Sequence, residues 1–543
     1  MLPQAEPFCS GATTRFVMLP HRFCYLKGIG SWGDGPGAGV PASAGVWPKP
    51  AEAGTPGALS GGAGHPACRG TAAHQLFRQA LSAEVFMKVV LTIHHFPPNY
   101  RAGAEIYTFR LAGWLIRHGH TVEVVCVESI THGENSDIEC MHEIYEGVSV
   151  WRLYFNLEQK SNPFYYGFDN PEIGVWFTEF LQRERPDIVH INSCYLLSVS
   201  TINAVKQLLL PLIVTLHDFW FVCPRITLLK PTGKLCSVPD NPAECAWCLA
   251  TEKRRFRWIE KRSSQTASIP AHTFLVSQPV NHWLGIYPDT NAILERRKIL
   301  IDALRQADLI LSPSEFLRNV FIKQGIAPDK IVYSRLGLDT SHWIVPEEMQ
   351  REQSDDLHIT YIGQIAPHKG VHLLINAFKK LDFSRRNARL KIYGDLTVFF
   401  KYTVSLQKEA KGITSIEFAG RFENYRVAEI FNQTDVAVVP SIWYENSPIA
   451  IMESLTTGTP VVTADLGGMP ELVKHDVNGL LFEAGSSDDL ARQLQRLLDT
   501  PTLVASLAAN ARPVRLIDDE MVQIVSLYER FQLSKIGPFI KTT

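Results

Sequence analysis

Short β-branched runs, each ending in a polar or glycine-containing loop and followed by a helical pattern, recur through most of this chain. They include Met87–Ile93 (MKVVLTI), Asp187–Asn192 (DIVHIN), Ile213–Asp218 (IVTLHD), Asp308–Ser314 (DLILSPS), Leu390–Asp395 (LKIYGD) and Asp435–Pro440 (DVAVVP). Strands apolar on both faces need cover on both sides. The intervening helices supply it, so the pattern demands an α/β fold with parallel, doubly wound sheets. Right-handed crossovers then gather the strand-to-helix loops at the carboxyl edge of each sheet, where ligands bind in such folds. The polar stretch 346–356 (PEEMQREQSDD) interrupts the series. It reads as a linker between a first domain, 87–345, and a second, 357–515.

The remaining bounds come from composition. The chain has 543 residues, 45% hydrophobic and 20% charged, with a net charge of −2. That length carries two or three domains, and a charge so near neutral gives no support to a nucleic-acid partner. No apolar run of about 18 residues suggests a membrane span. Ten cysteines without a signal-peptide pattern point to a reducing compartment, with the cytoplasm as the expected location. Residues 1–86 are rich in Gly, Pro and Ala and have no sustained period, which predicts a disordered extension. A methionine stands at Met87, where the compact pattern begins, so translation starting there is the alternative to a real extension.

The richest stretch is Trp443–Thr463 (WYENSPIAIMESLTTGTPVVT), in which seven residues separate Glu445 from Glu453. Pro448 near a first helical turn lets Ile449–Leu455 continue as a helix. Glu445 then precedes the helix and Glu453 lies along it. The exposed N–H groups of such a start attract phosphate, and a carboxylate deeper in the helix can accept from a sugar hydroxyl. Taken alone, two glutamates at this spacing are more often a solvated pair. With the strand before it and GTPVVTADLGGMPELV after it, however, the stretch resembles the donor-site motif of retaining family-four glycosyltransferases. That family has the GT-B fold, two Rossmann-like domains facing a cleft.

The resemblance covers Met87 to about Phe531 and implies roles for particular residues. Glu453 would hold the ribose hydroxyls and Glu445 would meet the sugar, with Asn446, Ser447, Pro448 and Ile449 lining the donor site between them. Gly363 and Gly370 frame a loop carrying Lys369, a cation able to neutralise a leaving phosphate. A lone lysine is usually just solvated, but GQIAPHKG resembles the family's diphosphate clamp. Gln364 occupies the position where the family usually has an arginine, and an amide cannot replace a bidentate guanidinium. Arg421, after Gly420 in FAGRF, is the candidate substitute. Gly103, in a Gly-x-Glu segment, would line the diphosphate from the first domain. As a lone glycine it reads as a turn residue. His217 ends a strand where the family keeps a histidine near the transferred sugar, a positioner rather than a base. A C-terminal helix, 516–535, would pack back on the first domain.

Two stretches stand outside that resemblance. Cys223, Cys236, Cys245 and Cys248 fall in a Pro- and Gly-containing insertion, 223–248, and fit a structural zinc site; free thiols or two disulfides are the other readings. Lys253–Arg262 (KRRFRWIEKR) interleaves six basic residues with Phe256 and Trp258. It reads either as a solvated helix with its aromatics in the core or as a peripheral contact with the inner face of a membrane.

The expected activity is therefore transfer of a sugar, with retained configuration, from a UDP- or GDP-linked donor to a hydroxyl of a glycan or lipid-linked acceptor. No cofactor is expected for catalysis. A sugar-nucleotide epimerase or phosphorylase on the same architecture, and a catalytically silent sugar-nucleotide binder, are the alternatives.

Overall fold

A computed structural model of the protein describes residues 86–134, 137–262, 271–344 and 355–535. The expected disordered extension, apart from its last residue, and most of the expected linker lie outside them. Two sheets organise the rest. The first joins β1 (Lys88–Ile93), β2 (Thr121–Ser129), β3 (Glu139–Tyr145), β4 (Val148–Tyr154), β5 (Ile188–Ile191), β6 (Leu212–Thr215), β7 (Leu309–Ser312) and β8 (Ile331–Tyr333) in the order β3-β4-β2-β1-β5-β6-β7-β8. The second joins β9 (Leu357–Ile362), β10 (Ala388–Tyr393), β11 (Ile416–Gly420), β12 (Val436–Val439), β13 (Val461–Ala464) and β14 (Gly479–Phe482) in the order β11-β10-β9-β12-β13-β14.

Both sheets are the doubly wound α/β type that the apolar runs require. Every described pairing is parallel except that of β3 with β4, an antiparallel hairpin at one edge turning through Glu146 and Gly147, both with positive φ. β5, β6, β7, β12 and β13 are buried along their whole length. That explains why Val, Ile and Leu dominate them. Strand order reverses between β1 and β5 in the first sheet and between β9 and β12 in the second. Crevices at such reversals are where open α/β sheets take ligands.

The helices that matter for the site are α1 (Gly103–Arg117), α2 (Pro242–Ala250), α3 (Arg254–Arg262), α4 (Glu315–Lys323), α5 (Val371–Phe378), α6 (Ile449–Thr456) and α7 (Ile517–Lys535). α7 follows the second sheet but packs on the first. Met521, Ile524 and Tyr528 are buried with Met87, Val89, Leu91 and Leu111. Tyr528 Oη lies 2.6 Å from His190 Nδ1, Tyr107 Oη donates to Glu520 at 3.0 Å, and Trp114 Nε1 donates to Asp518 at 2.8 Å.

Candidate active site

The loop between β12 and α6 carries Glu445, and three donors converge on its Oε1 atom. They are Lys369 Nζ at 2.7 Å, Trp443 Nε1 at 2.7 Å and Ser441 Oγ at 2.8 Å. Burial pushes the Glu445 carboxyl up, but the lysine charge and the three hydrogen bonds outweigh it and hold the group below its ordinary value. Lys369 also lies 4.9 Å from the centre of the Trp443 ring. Its loop is pinned by the Ile442 N–H donating to His368 O at 2.9 Å.

Two glycines make this packing feasible. Gly370 has φ +74°, and a Cβ there would stand 1.9 Å from Pro440 O. A Cβ at Gly468 would stand 2.4 Å from Asn446 O, and its N–H donates to Glu445 O at 2.7 Å.

α6 starts directly after Pro448 and holds Glu453 one turn further along, only 7% exposed. Among the described residues none hydrogen-bonds the Glu453 carboxylate. Burial raises its pKa to about 7, opposed only by the charge of Arg110 on α1. A buried acceptor without protein donors is an arrangement that ligand hydroxyls can satisfy. Between the two glutamates, Asn446 Nδ2 donates to His217 O at 3.0 Å, crossing to the first sheet, and Ser447 Oγ lies 3.4 Å from Met452 Sδ.

Facing them, at the carboxyl ends of β1, β5 and β6 and on α1, several polar groups are buried without partners: His94 Nδ1, Glu105 Oε2, both amide atoms of Asn192 and His217 Nε2; Asn446 Oδ1 on the glutamate loop is a further one. His94 Nε2 and Glu105 Oε1 are 3.2 Å apart. His217 is pushed down to about 4, first by burial and then by His94, so its imidazole is neutral near pH 7. Buried polar atoms ordinarily have partners, and a ligand with several hydroxyls could supply them here.

Other expected site residues fall differently. A Cβ at Gly103, at the start of α1, would meet nothing within 4 Å, so the fold does not require glycine there. Gln364 offers its carbonyl oxygen to Tyr361 Oη at 2.8 Å. Gly363 and Gly420 end β9 and β11 with φ of +154° and +76°. Arg421 is largely exposed, and its guanidinium bonds Asp395 rather than the Glu445 cluster.

Among the described residues no group of three His, Cys, Asp or Glu side chains is placed to hold a metal ion, although burial and the neighbouring thiols raise Cys223, Cys245 and Cys248, each of which also lies near Cys236. All four cysteines are free. Cys245 and Cys248 sit on α2 instead of in a knuckle turn, and Arg297 Nη2 lies 3.6 Å from Cys245 Sγ.

Sequence reasoning left out Asn192, although it follows a β-branched run just as His217 does. It also left out Glu471, which accepts from the Glu315 and Phe316 N–H groups at 3.0 and 2.8 Å and so caps α4 across the cleft. A cavity of about 450 Å³ on the outer face of the first sheet, lined by Asp169, Thr178 and Asn203, contains none of the site residues.

Residues 346–514 match the family described as glycosyl transferases group 1, and residues 101–342 match Glycosyltransferase Family 4. The glycogen synthase of Mycobacterium tuberculosis is 26% identical over 212 residues, 38% of this chain and 50% of that protein. The D-inositol 3-phosphate glycosyltransferase of Corynebacterium aurimucosum is 29% identical over 245 residues, 42% of this chain and 57% of that protein. The chain thus spans about half the length of these curated relatives. Among solved structures, Anabaena HepE in complex with UDP and glucose superposes with a TM-score of 0.53 at 18% identity, covering 82% of this chain and 100% of that one. Sucrose-phosphate synthase from Thermosynechococcus elongatus gives 0.54 at 16% identity, covering 82% and 99%. At these identities the likeness shows the fold, which is GT-B.

Proposed function

Because the chain belongs to the glycosyl transferases group 1 family, joined to a Glycosyltransferase Family 4 first half, we propose that it transfers a sugar from a nucleotide diphosphate donor to an acceptor hydroxyl with retained configuration. The observation that carries this reading is the unequal pair of glutamates. Glu445 is ionised and fully engaged with Lys369, whereas Glu453 is buried and lacks donors. In this reading Glu453 accepts from the ribose hydroxyls and Glu445 orients the sugar. Lys369 moves its charge onto the leaving diphosphate, aided by the positive N-terminal end of α6. The crevice of His94, Glu105, Asn192 and His217 takes the acceptor hydroxyl. Positioning and charge stabilisation supply the rate, so no metal step is invoked. UDP is the favoured carrier, since it is the nucleotide bound by the HepE neighbour; GDP is the second choice. The acceptor class is a growing glycan or a lipid-linked sugar.

The test is calorimetry of the full chain against UDP, GDP, ADP and dTDP, repeated with Glu453→Ala. Saturable binding of UDP, weakened about tenfold or more in the variant through loss of charge-assisted hydrogen bonds, is the expected result. Binding of none of the four, or binding indifferent to the variant, would overturn the assignment.

A further inference from the structure

The basic stretch recognised in the sequence has split its aromatics between two faces. On the inner face of α3, Phe256 is buried with its ring edge-on to Trp247 at 5.7 Å, and Glu260 accepts from Trp247 Nε1 at 2.8 Å. Those contacts fix the rotation of the helix, and the outer face carries Arg254, Arg255, Trp258 and Ile259. Trp258, two residues after the buried Phe256 and so on the opposite side of the helix, is 57% exposed.

The outer face continues onto the next segment. Lys253 Nζ donates to Gly285 O at 2.8 Å and Arg255 Nη2 donates to Leu284 O at 2.7 Å, which fastens the short helix Val280–Trp283 beside α3. Trp283 there is 92% exposed, and Phe274 earlier in the same segment is 65% exposed. Single exposed apolar residues need no explanation, but two tryptophans and a phenylalanine on and after one basic helix do. The chain as a whole has a net charge of −2, while 253–262 holds six basic residues against one acid. Indole rings flanked by arginines suit the boundary between lipid headgroups and acyl chains: the rings enter the interface and the cations stay with anionic headgroups. A nucleic-acid site would instead need basic residues spread over a longer track.

We propose that this face, made by Arg254, Arg255, Trp258, Ile259, Phe274 and Trp283, seats the protein on a bilayer bearing anionic lipid headgroups. The surface is independent of the donor site and stands whether or not that assignment does. The test is sedimentation of the full chain with vesicles of phosphatidylcholine alone and of phosphatidylcholine containing about 30% phosphatidylglycerol. Partition roughly tenfold stronger into the anionic vesicles is expected, and it is lost at about 0.5 M salt, where charge is screened within a few ångström. The double variant Phe274→Ala/Trp283→Ala, confined to exposed side chains, lowers that partition about tenfold with an unchanged melting temperature. Arg254→Glu lowers it as well. Equal sedimentation with both vesicle types, or a double variant that partitions like the parent, would overturn the proposal. So would retention on a duplex DNA probe without vesicle binding, which would assign the face to nucleic acid.

Discussion

Glu445 and Glu453 share one loop and helix yet meet opposite electrostatic fates. Glu445 gains Lys369, Ser441 and Trp443 and is held below its ordinary pKa, while Glu453 gains only burial and rises from 4.5 to about 7. The consequence for pH can be signed. A carboxyl whose folded value is raised costs nothing below about 4.5; the cost to stability grows between about 4.5 and about 7, where only the unfolded chain has lost the proton, and levels off above. Ligand hydroxyls stabilise the ionised form, so nucleotide affinity should rise between about pH 6 and about pH 8, and Glu453→Gln should flatten the profile as well as weaken binding. Calorimetry across that range decides it, and a flat profile in the parent would remove Glu453 from the binding site. The seven-residue spacing was legible in the sequence. Which glutamate is ionised was not, because Lys369 arrives from 76 positions upstream.

At the scale of the element, glycines separate what the fold needs from what a ligand needs. Gly370 joins β9's loop to α5 in a left-handed conformation, and a Cβ there collides with Pro440 O. Gly370→Ala should cost at least about 1–2 kcal/mol from the backbone alone, with the clash added. Gly103→Ala meets open space and should leave the melting temperature within about 2 °C, while lowering nucleotide affinity if the diphosphate approaches α1. Paired thermal melts and titrations check both, and equal destabilisation by the two would contradict the geometry. The strand–loop–helix series was visible because buried parallel strands are written as continuous apolar runs. The β3–β4 hairpin escaped that reading: its edge strand, Glu139–Tyr145, is largely exposed and mixes charged with apolar residues, with only the turn at Glu146–Gly147 to mark it.

Across the whole molecule, the two sheets are held together by a few specific crossings. Glu471 caps α4, Asn446 reaches His217 O, and α7 returns to the first sheet through Tyr528 and His190. Glu471→Ala should therefore cost about 1 kcal/mol through the lost cap, a fall of about 2 °C, and should widen the particle in small-angle scattering. An unchanged melting curve and scattering profile would place the restraint elsewhere. The sequence by itself determined the α/β class and the buried parallel strands, because these depend on local periodicity. Only the tertiary structure decided which side chains meet. Lys369 with Glu445, the orphaned crevice of His94, Glu105 and Asn192, and the outward face of α3 all depend on contacts between distant segments, and local chemistry cannot encode such contacts.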